Sequence, residues 1–401
     1  MYFQMFTNSG FFAGGNGSGS VSELDGERIG FGQRELRMEL LGKSLEELKA
    51  FCRAEGQPVY RGGQIYRALY SERTFQIDGM TTLPVELREK LKEQASISVP
   101  TVRQRYVSAD GSVRYLFGLG SGSGEPEGKR PREASVEAVF MPSEGRQTIC
   151  VSSQAGCAVD CHFCLTAQLG LIRNLSAGEI LGQVLVPLKD MEAQGLAART
   201  NVVLMGQGEP LLNFDNVMAA MRILLDQKGI GLSPKYVSLS TSGIVPGIEK
   251  LAKEEVRPKL AISLNASCDE QRDALMPINK KYPLKDLLEA CRAFPLRKWE
   301  YLMFEYVMLG GVNDTEADAR RVAKLLAPIK RVKVNLIPWN PGELPFSESN
   351  EQTIEAFQRI LMEKGVPTYV RYSRGRDVMA ACGQLALSEA QTQKSPLTIL
   401  G

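Results

Sequence analysis

Histidine is almost absent from this chain: His162 is the only one among 401 residues. A multi-histidine metal centre is therefore excluded, and a Ser-His-Asp triad could run only through that one imidazole. Proton transfer must rest mainly on carboxylates, thiols, lysines or tyrosines. No apolar run approaches the about eighteen residues a membrane span needs, and the N-terminus lacks the basic-then-apolar order of a secretory signal. A cytoplasmic location with no membrane partner is expected. Net charge is also small, +2 from 48 Lys+Arg and 46 Asp+Glu, too little by itself to imply a nucleic-acid surface, although local patches remain open. Eight cysteines in so long a chain do not suggest a disulfide scaffold. Four of them, Cys150, Cys157, Cys161 and Cys164, fall within fifteen residues.

The chain is long enough for one large domain and a smaller one. Residues 1–35 are rich in Gly, Ser and Asn without sustained period and read as a disordered tail. From 36 to 100 three helical patterns, the first opened by the capping-box sequence Ser44-Leu45-Glu46-Glu47, predict a small N-terminal helical domain. Two strands joined through Asp110-Gly111 predict a β-hairpin within a 101–147 connector, which also holds the glycine-rich, charged loop from Gly120 to Glu133. From 148 to 375 short β-branched runs alternate with amphipathic segments. That alternation predicts an α/β fold of parallel strands with right-handed crossovers, a partial (βα)6 barrel more than an open doubly wound sheet. Ligands then gather at the C-terminal ends of the strands. A C-terminal segment, 376–401, carries Cys382.

Cys157, Cys161 and Cys164 form a C-x3-C-x2-C motif directly after a predicted strand and before a helix expected near Ser176. Three thiolates so close can each hold one iron of a [4Fe-4S] cubane and leave the fourth iron without a protein ligand. An amino acid's amine and carboxylate can chelate that iron, which brings the sulfonium of S-adenosylmethionine beside a reductant able to cleave it. The same cysteines also fit a zinc site, but no fourth ligand stands at zinc-finger spacing.

The surrounding blocks are more specific. Cys150-Val151-Ser152-Ser153-Gln154-Ala155-Gly156-Cys157, Gly206-Gln207-Gly208-Glu209-Pro210, Leu239-Ser240-Thr241-Ser242-Gly243, Pro277-Ile278-Asn279-Lys280-Lys281-Tyr282, Glu305-Tyr306-Val307-Met308-Leu309, Asn335-Leu336-Ile337-Pro338-Trp339-Asn340 and Ala380-Ala381-Cys382-Gly383 occur in that order. Together they resemble the RlmN/Cfr family of radical S-adenosylmethionine RNA adenine methyltransferases over roughly residues 60–386. The resemblance implies a partial radical S-adenosylmethionine barrel, a [4Fe-4S] cluster, and two S-adenosylmethionine molecules per turnover. Gly208, Glu209, Ser240, Ser263, Leu264, Asn265 and Asn340 match the family's S-adenosylmethionine contacts.

The implied substrate is adenine C2 in 23S rRNA and in tRNA, the tRNA target lying 3' of the anticodon; a C8-directed relative or another radical enzyme is the alternative. A purine C2 is electron-poor and cannot attack a methyl sulfonium, so a radical route is needed. By resemblance one S-adenosylmethionine methylates Cys382, a 5'-deoxyadenosyl radical from a second takes a hydrogen from that methyl group, and the resulting methylene radical adds to C2. Cys150 then releases the product by forming a Cys150–Cys382 disulfide, and Glu137 matches the family's proton acceptor. Flavodoxin or ferredoxin is the expected electron donor, and a monomer the expected state. RNA contacts are expected from the helical segment and from Lys129-Arg130, Lys280-Lys281, Lys330-Arg331, Arg371, Arg374 and Arg376. The chain departs from the family pattern at Asn265, where a histidine is usual, at Gln207 in place of methionine, and at Met379, where an acidic residue is common.

Overall fold

The computed structural model describes residues 37–120, 134–195 and 198–385. The 1–35 tail, Lys129-Arg130, nearly all of the 120–133 loop and the chain beyond residue 385 lie outside the described residues.

Three helices come first. In α1 (Leu45–Ala54) the capping box forms as the sequence predicts: the Glu47 amide donates to Ser44 Oγ, and the Ser44 amide donates to the Glu47 carboxylate at 2.8 Å. α2 (Tyr60–Tyr70) and α3 (Val85–Gln94) follow, burying Ile65, Leu69, Leu87 and Leu91 with Leu48 and Cys52 of α1. These side chains belong to the same apolar core as the sheet that follows. Polar ties add to the docking: Tyr66 donates to the Asp226 carboxylate at 2.8 Å and Ser71 to the Gly229 carbonyl at 3.0 Å.

The rest of the described chain is organised by a ten-stranded sheet. Its strands are β1 (Thr101–Val107), β2 (Val113–Gly118), β3 (Ser135–Ser143), β4 (Arg146–Val151), β5 (Arg199–Leu204), β6 (Val237–Thr241), β7 (Lys259–Ser263), β8 (Leu302–Met308), β9 (Val332–Pro338) and β10 (Thr368–Val370). Strand order in the sheet equals strand order in the chain. β1 to β4 pair antiparallel, with Gly111 at φ +80 in the turn between β1 and β2, and β4 to β10 pair parallel. Residues 101–147, read from the sequence as a connector, thus supply three strands of the main sheet and the start of β4.

The parallel strands are bridged by α4 (Ala177–Ala193), α5 (Phe214–Leu225), α6 (Val245–Ala252), the pair α7 (Asp269–Leu275) and α8 (Leu284–Ala293), α9 (Glu316–Leu326) and α10 (Glu351–Glu363). Right-handed crossovers that always step to the same side put every bridging helix on one face. A doubly wound sheet would need the order to reverse, and here it never does. β1 and β10 are not paired with each other, so the barrel stays open. This is the partial barrel that the sequence predicts.

Period-two alternation divides the two faces. On the helix-covered face Ile149 pairs in register with Val202, Leu239 with Leu260, and Ile262 with Phe304, and all six are buried. The opposite face carries Cys150, Ser238, Ser240, Lys259, Ser263, Glu305 and Asn335, which line open space. One face of the sheet is a core, and the other is a lumen.

Candidate active site

The cysteine motif lies in a loop framed by two short strands, Gln154–Gly156 and Leu171–Asn174, paired antiparallel. Gly156 is at φ +72, and a Cβ there would collide with the Gly170 carbonyl, so only glycine fits. Asp160 takes a left-handed turn at φ +58, and the loop ends in the short helix Leu165–Gln168. Cys157, Cys161 and Cys164 line one cavity of about 180 Å³ together with Gly208, Glu209, Ser240, Ser263, Asn265, Asn340 and Cys382. Burial pushes the Cys157 thiol up to about 11 and also raises Cys161 and Cys164, with repulsion among the thiols adding at Cys157 and Cys161. Among the described residues no three His, Cys, Asp or Glu side chains converge as a mononuclear metal site requires. Three thiols on one cavity suit a polynuclear cluster, in which each takes its own metal.

Glu209 sits across this cavity, fixed in place. Its carboxylate accepts from the Leu211 amide at 3.0 Å, the Ser242 amide at 2.7 Å and Ser242 Oγ at 2.8 Å. Burial nevertheless raises its pKa. Gly208, at φ +93, is pressed against Gln154, where a Cβ would come 2.5 Å from that side chain.

Behind the strand ends lies Arg272 of α7, fully buried and, among the described residues, without a bonded carboxylate. Its guanidinium donates to the carbonyls of Ser242 at 2.5 Å, Leu264 at 3.1 Å and Ser263 at 3.2 Å, and to Asn279 Oδ1 at 2.9 Å. It therefore clamps the C-terminal ends of β6 and β7. Burial brings its pKa down to about 10. Leu264 itself is wholly buried and is not among the lining residues of either cavity; its carbonyl accepts from Arg272. Asn265 is left-handed at φ +56, a conformation asparagine tolerates better than most residues, and its Oδ1 accepts from the Val307 amide at 2.9 Å.

Cys382 stands between two voids, lining the first cavity and a second of about 670 Å³ that fills the lumen. Its surface is accessible from the cavities, yet protein surrounds it at depth, and that burial pushes its thiol up to about 11, with Glu305 the next contributor. The segment around it is tied down at several points. Asn340 donates to the Cys382 carbonyl at 3.1 Å, the Leu165 amide to the Gly383 carbonyl at 2.8 Å, Thr166 to the Leu385 carbonyl at 2.7 Å, and Gln384 to the Pro341 carbonyl at 2.8 Å. Gln207, another departure from the family pattern, reaches the Leu385 carbonyl at 3.5 Å. Cys150 lines the same second cavity, its thiol raised by burial and then by Cys382. Both cysteines are free thiols.

The far end of the larger cavity is basic. Arg146, Arg199 and Lys259 open β4, β5 and β7, and Arg371 and Arg374 join them; Glu305 is the one acid among the lining residues described. Of the other basic positions read from sequence, Arg376 pairs with Glu348 at 3.2 Å and Arg331 holds the carbonyls of Leu296, Arg297 and Lys298. Lys280, Lys281 and Lys330 are exposed away from both cavities' linings. Glu137 is not among the lining residues: it is fully buried on β3 and paired with Arg114, whose guanidinium also lies 4.0 Å from the Tyr106 ring centroid.

With this geometry the comparisons with known proteins agree. Residues 151–326 match the Radical SAM superfamily, and residues 38–97 match the ribosomal RNA large subunit methyltransferase N-terminal domain. The chain is 51% identical over 346 residues to a probable dual-specificity RNA methyltransferase RlmN of Koribacter versatilis, covering 84% of this chain and 98% of that one. A dual-specificity RNA methyltransferase RlmN of Geobacter sulfurreducens is 43% identical, covering 87% of this chain and 92% of its own length. The crystal structure of a radical SAM methyltransferase from Sphaerobacter thermophilus superposes with a TM-score of 0.80 at 39% identity, covering 87% of this chain and 99% of that one.

The chain belongs to the RlmN family of radical S-adenosylmethionine RNA methyltransferases.

Membership makes it a methyltransferase that uses a [4Fe-4S] cluster and S-adenosylmethionine. The residues fit both groups: three thiols line the first cavity, with the buried Arg272 the cation that acts on Cys161, and a fixed carboxylate, Glu209, lines the same cavity. Two residues of this site carried no role in the sequence reading. Glu305 was visible as a carboxylate inside the apolar run Leu302-Met303-Phe304-Glu305-Tyr306-Val307, a pattern that a strand buried on both faces would not carry. Arg272 gave no sequence signal, because an arginine on a helix is ordinarily a solvated one.

Proposed function

We propose that this enzyme methylates C2 of adenine in 23S rRNA and in tRNA, using Cys382 as the methyl carrier. The position of Cys382, on the boundary between the small cysteine-lined cavity and the large lumen, carries this reading. A carrier has to meet its donor on one side and its acceptor on the other. When bound, the cluster held by Cys157, Cys161 and Cys164 and the S-adenosylmethionine held by Gly208, Glu209, Ser240, Ser263, Leu264, Asn265 and Asn340 supply the methyl group and a 5'-deoxyadenosyl radical. Glu209 takes the ligand's ammonium, and Ser240 and Ser263, whose hydroxyls lie 3.2 Å apart, present hydroxyl oxygens to it as acceptors. Asn340 holds Cys382 toward the donor.

The acceptor base comes through the lumen, whose basic far end suits RNA phosphates. Cys150, on β4 across the same cavity, attacks the Cys382 sulfur and frees the methylated product as the disulfide closes. Glu137, paired with Arg114, accepts the proton lost from C2. The relatives' names, dual-specificity RNA methyltransferases, support the choice of RNA over other acceptors. A small reduced flavodoxin or ferredoxin supplies the electron, the chain acts as a monomer, and the setting is cytoplasmic; among the described residues no helix is long and apolar enough to cross a membrane.

The test is anaerobic turnover of reconstituted enzyme on a 23S rRNA fragment and on tRNA, with digestion and mass spectrometry that separates 2-methyladenosine from 8-methyladenosine. Formation of 2-methyladenosine in both RNAs is expected, with none from Cys382→Ala and a trapped protein–RNA adduct from Cys150→Ala. A product at C8, or full activity in Cys382→Ala, overturns the reading.

A further inference from the structure

Glu305 is a carboxyl that the proposed mechanism leaves without a task. It projects from β8 into the lumen, in register with Ser263 on one side and Asn335 on the other. Like Cys382 it lines both cavities. Among the described residues its carboxylate takes one hydrogen bond, from Ser240 Oγ at 2.6 Å to one of the two oxygens, and no arginine or lysine pairs with it. Glu137 is the opposite case, a carboxylate paired with arginine outside both linings.

Resting on the reading of Cys382 as methyl carrier, we propose that Glu305 is the base that removes the Cys382 thiol proton when that sulfur takes its methyl group. S-adenosylmethionine is a consumed substrate in this half-reaction. The Cys382 Sγ–H bond breaks and its proton goes to a Glu305 oxygen. The sulfur's electron pair forms the bond to the methyl carbon, and the methyl–sulfonium bond breaks, leaving its pair on the thioether of S-adenosylhomocysteine. No electron is gained or lost overall, and no further reactant is needed.

The surroundings call for such a group. A thiol is a poor nucleophile until it loses its proton, and Cys382 sits where burial keeps the proton on. With no histidine among the cavity-lining residues and no lysine but Lys259 at the far end, the acceptor in reach of the two-cavity junction is a carboxylate. Burial raises the pKa of Glu305, which strengthens it as a base. Ser240 holds one of its oxygens and leaves the other without a bond among the described residues, in a side chain that lines both cavities.

A spectator carboxylate and a base predict opposite effects. A spectator repels the Cys382 thiolate, so Glu305→Gln would ease ionisation and speed methylation. If Glu305 is the base, the same substitution slows it by about 100-fold, the low end of what a positioned base contributes. The experiment uses reconstituted full-length enzyme whose Cys382 is first verified by mass to be unmethylated. S-adenosylmethionine is added without reductant or RNA, and the rate at which the Cys382 peptide gains one methyl group is followed by mass spectrometry. Cluster absorbance and S-adenosylmethionine binding are measured in the same samples. Methylation in wild type with a large slowing in Glu305→Gln supports the assignment, and an equal or faster rate overturns it. If Glu305→Gln fails to bind S-adenosylmethionine, Glu305→Ala with added formate decides: restoration of the rate by formate supports the base, and no restoration overturns it. Failure of wild type itself to gain a methyl at Cys382 would instead count against the carrier reading.

Discussion

Adjacent residues of one strand lead separate lives in this molecule. Phe304 faces the helices in a closed apolar core, whereas Glu305 faces a water-reachable lumen. The same division runs across β4 to β9, Ile149 against Cys150 and Leu239 against Ser240. The outer face supplies cohesion and the inner face supplies chemistry. Because the crossover helices all lie on one side, the reactive face is never needed for packing against them.

That division can be broken deliberately. The largest effect on activity is expected from Cys382→Ala: RNA methylation drops below detection while the thermal midpoint stays within a degree or two of wild type. Both are read from the same preparation, and a large loss of stability would mean that the inner face does structural work. On the outer face Phe304→Ala is expected to cost about 3–5 kcal/mol in urea unfolding through the cavity it leaves. Next comes Arg272→Met, which strips the partners from the Ser242, Ser263 and Leu264 carbonyls; a loss of about 3 kcal/mol and weaker S-adenosylmethionine binding in calorimetry are expected together.

Carboxylates sharpen the comparison through pH. Glu209 and Glu305, on the lumen side, have raised pKa values from burial, so the folded protein holds their protons more tightly than the unfolded chain. Their penalty is absent below the ordinary glutamate value of 4.5 and is present in full above the raised folded values, so stability from these groups falls as pH rises. Asp318, which caps α9, is the reverse. Despite some burial, bonds from Ser267, Thr315 and Gln271 lower its pKa, and its contribution is present above the ordinary value of 3.8 and lost as pH falls through the folded value. Glu305→Gln should therefore raise the melting temperature of cofactor-free protein at pH 7.5 and leave it unchanged at pH 4. Asp318→Asn should lower it at pH 7.5, with the difference closing only at strongly acid pH. The smallest effect is expected at the exposed Lys250–Asp215 pair, 2.7 Å apart, where Lys250→Ala should change stability by less than about 0.5 kcal/mol.

Much of this was legible in the sequence. Parallel strands announced themselves as β-branched runs, the capping box at Ser44 marked one helix start, and the helix expected near Ser176 begins there. The cysteine spacing named the cluster chemistry, because three ligands so near one another are a local pattern. What remained hidden was non-local. Whether Glu137 faces solvent or core depends on Arg114, more than twenty residues away in sequence. That Cys382 borders two cavities depends on bonds to Leu165, Thr166 and Asn340, none of them its neighbours along the chain. Arg272 becomes a clamp only once two strand ends lie side by side.

The sheet's unbroken strand order also bears on how the protein is made. Each strand that leaves the ribosome finds its partner already present, so pairing can proceed in the order of synthesis without waiting for a distant segment. The Cys382 segment follows the last strand, and its anchors at Leu165, Thr166 and Asn340 all precede it. The reactive thiol is thus set in place after the strands and anchors of the cavity that shields it have been made.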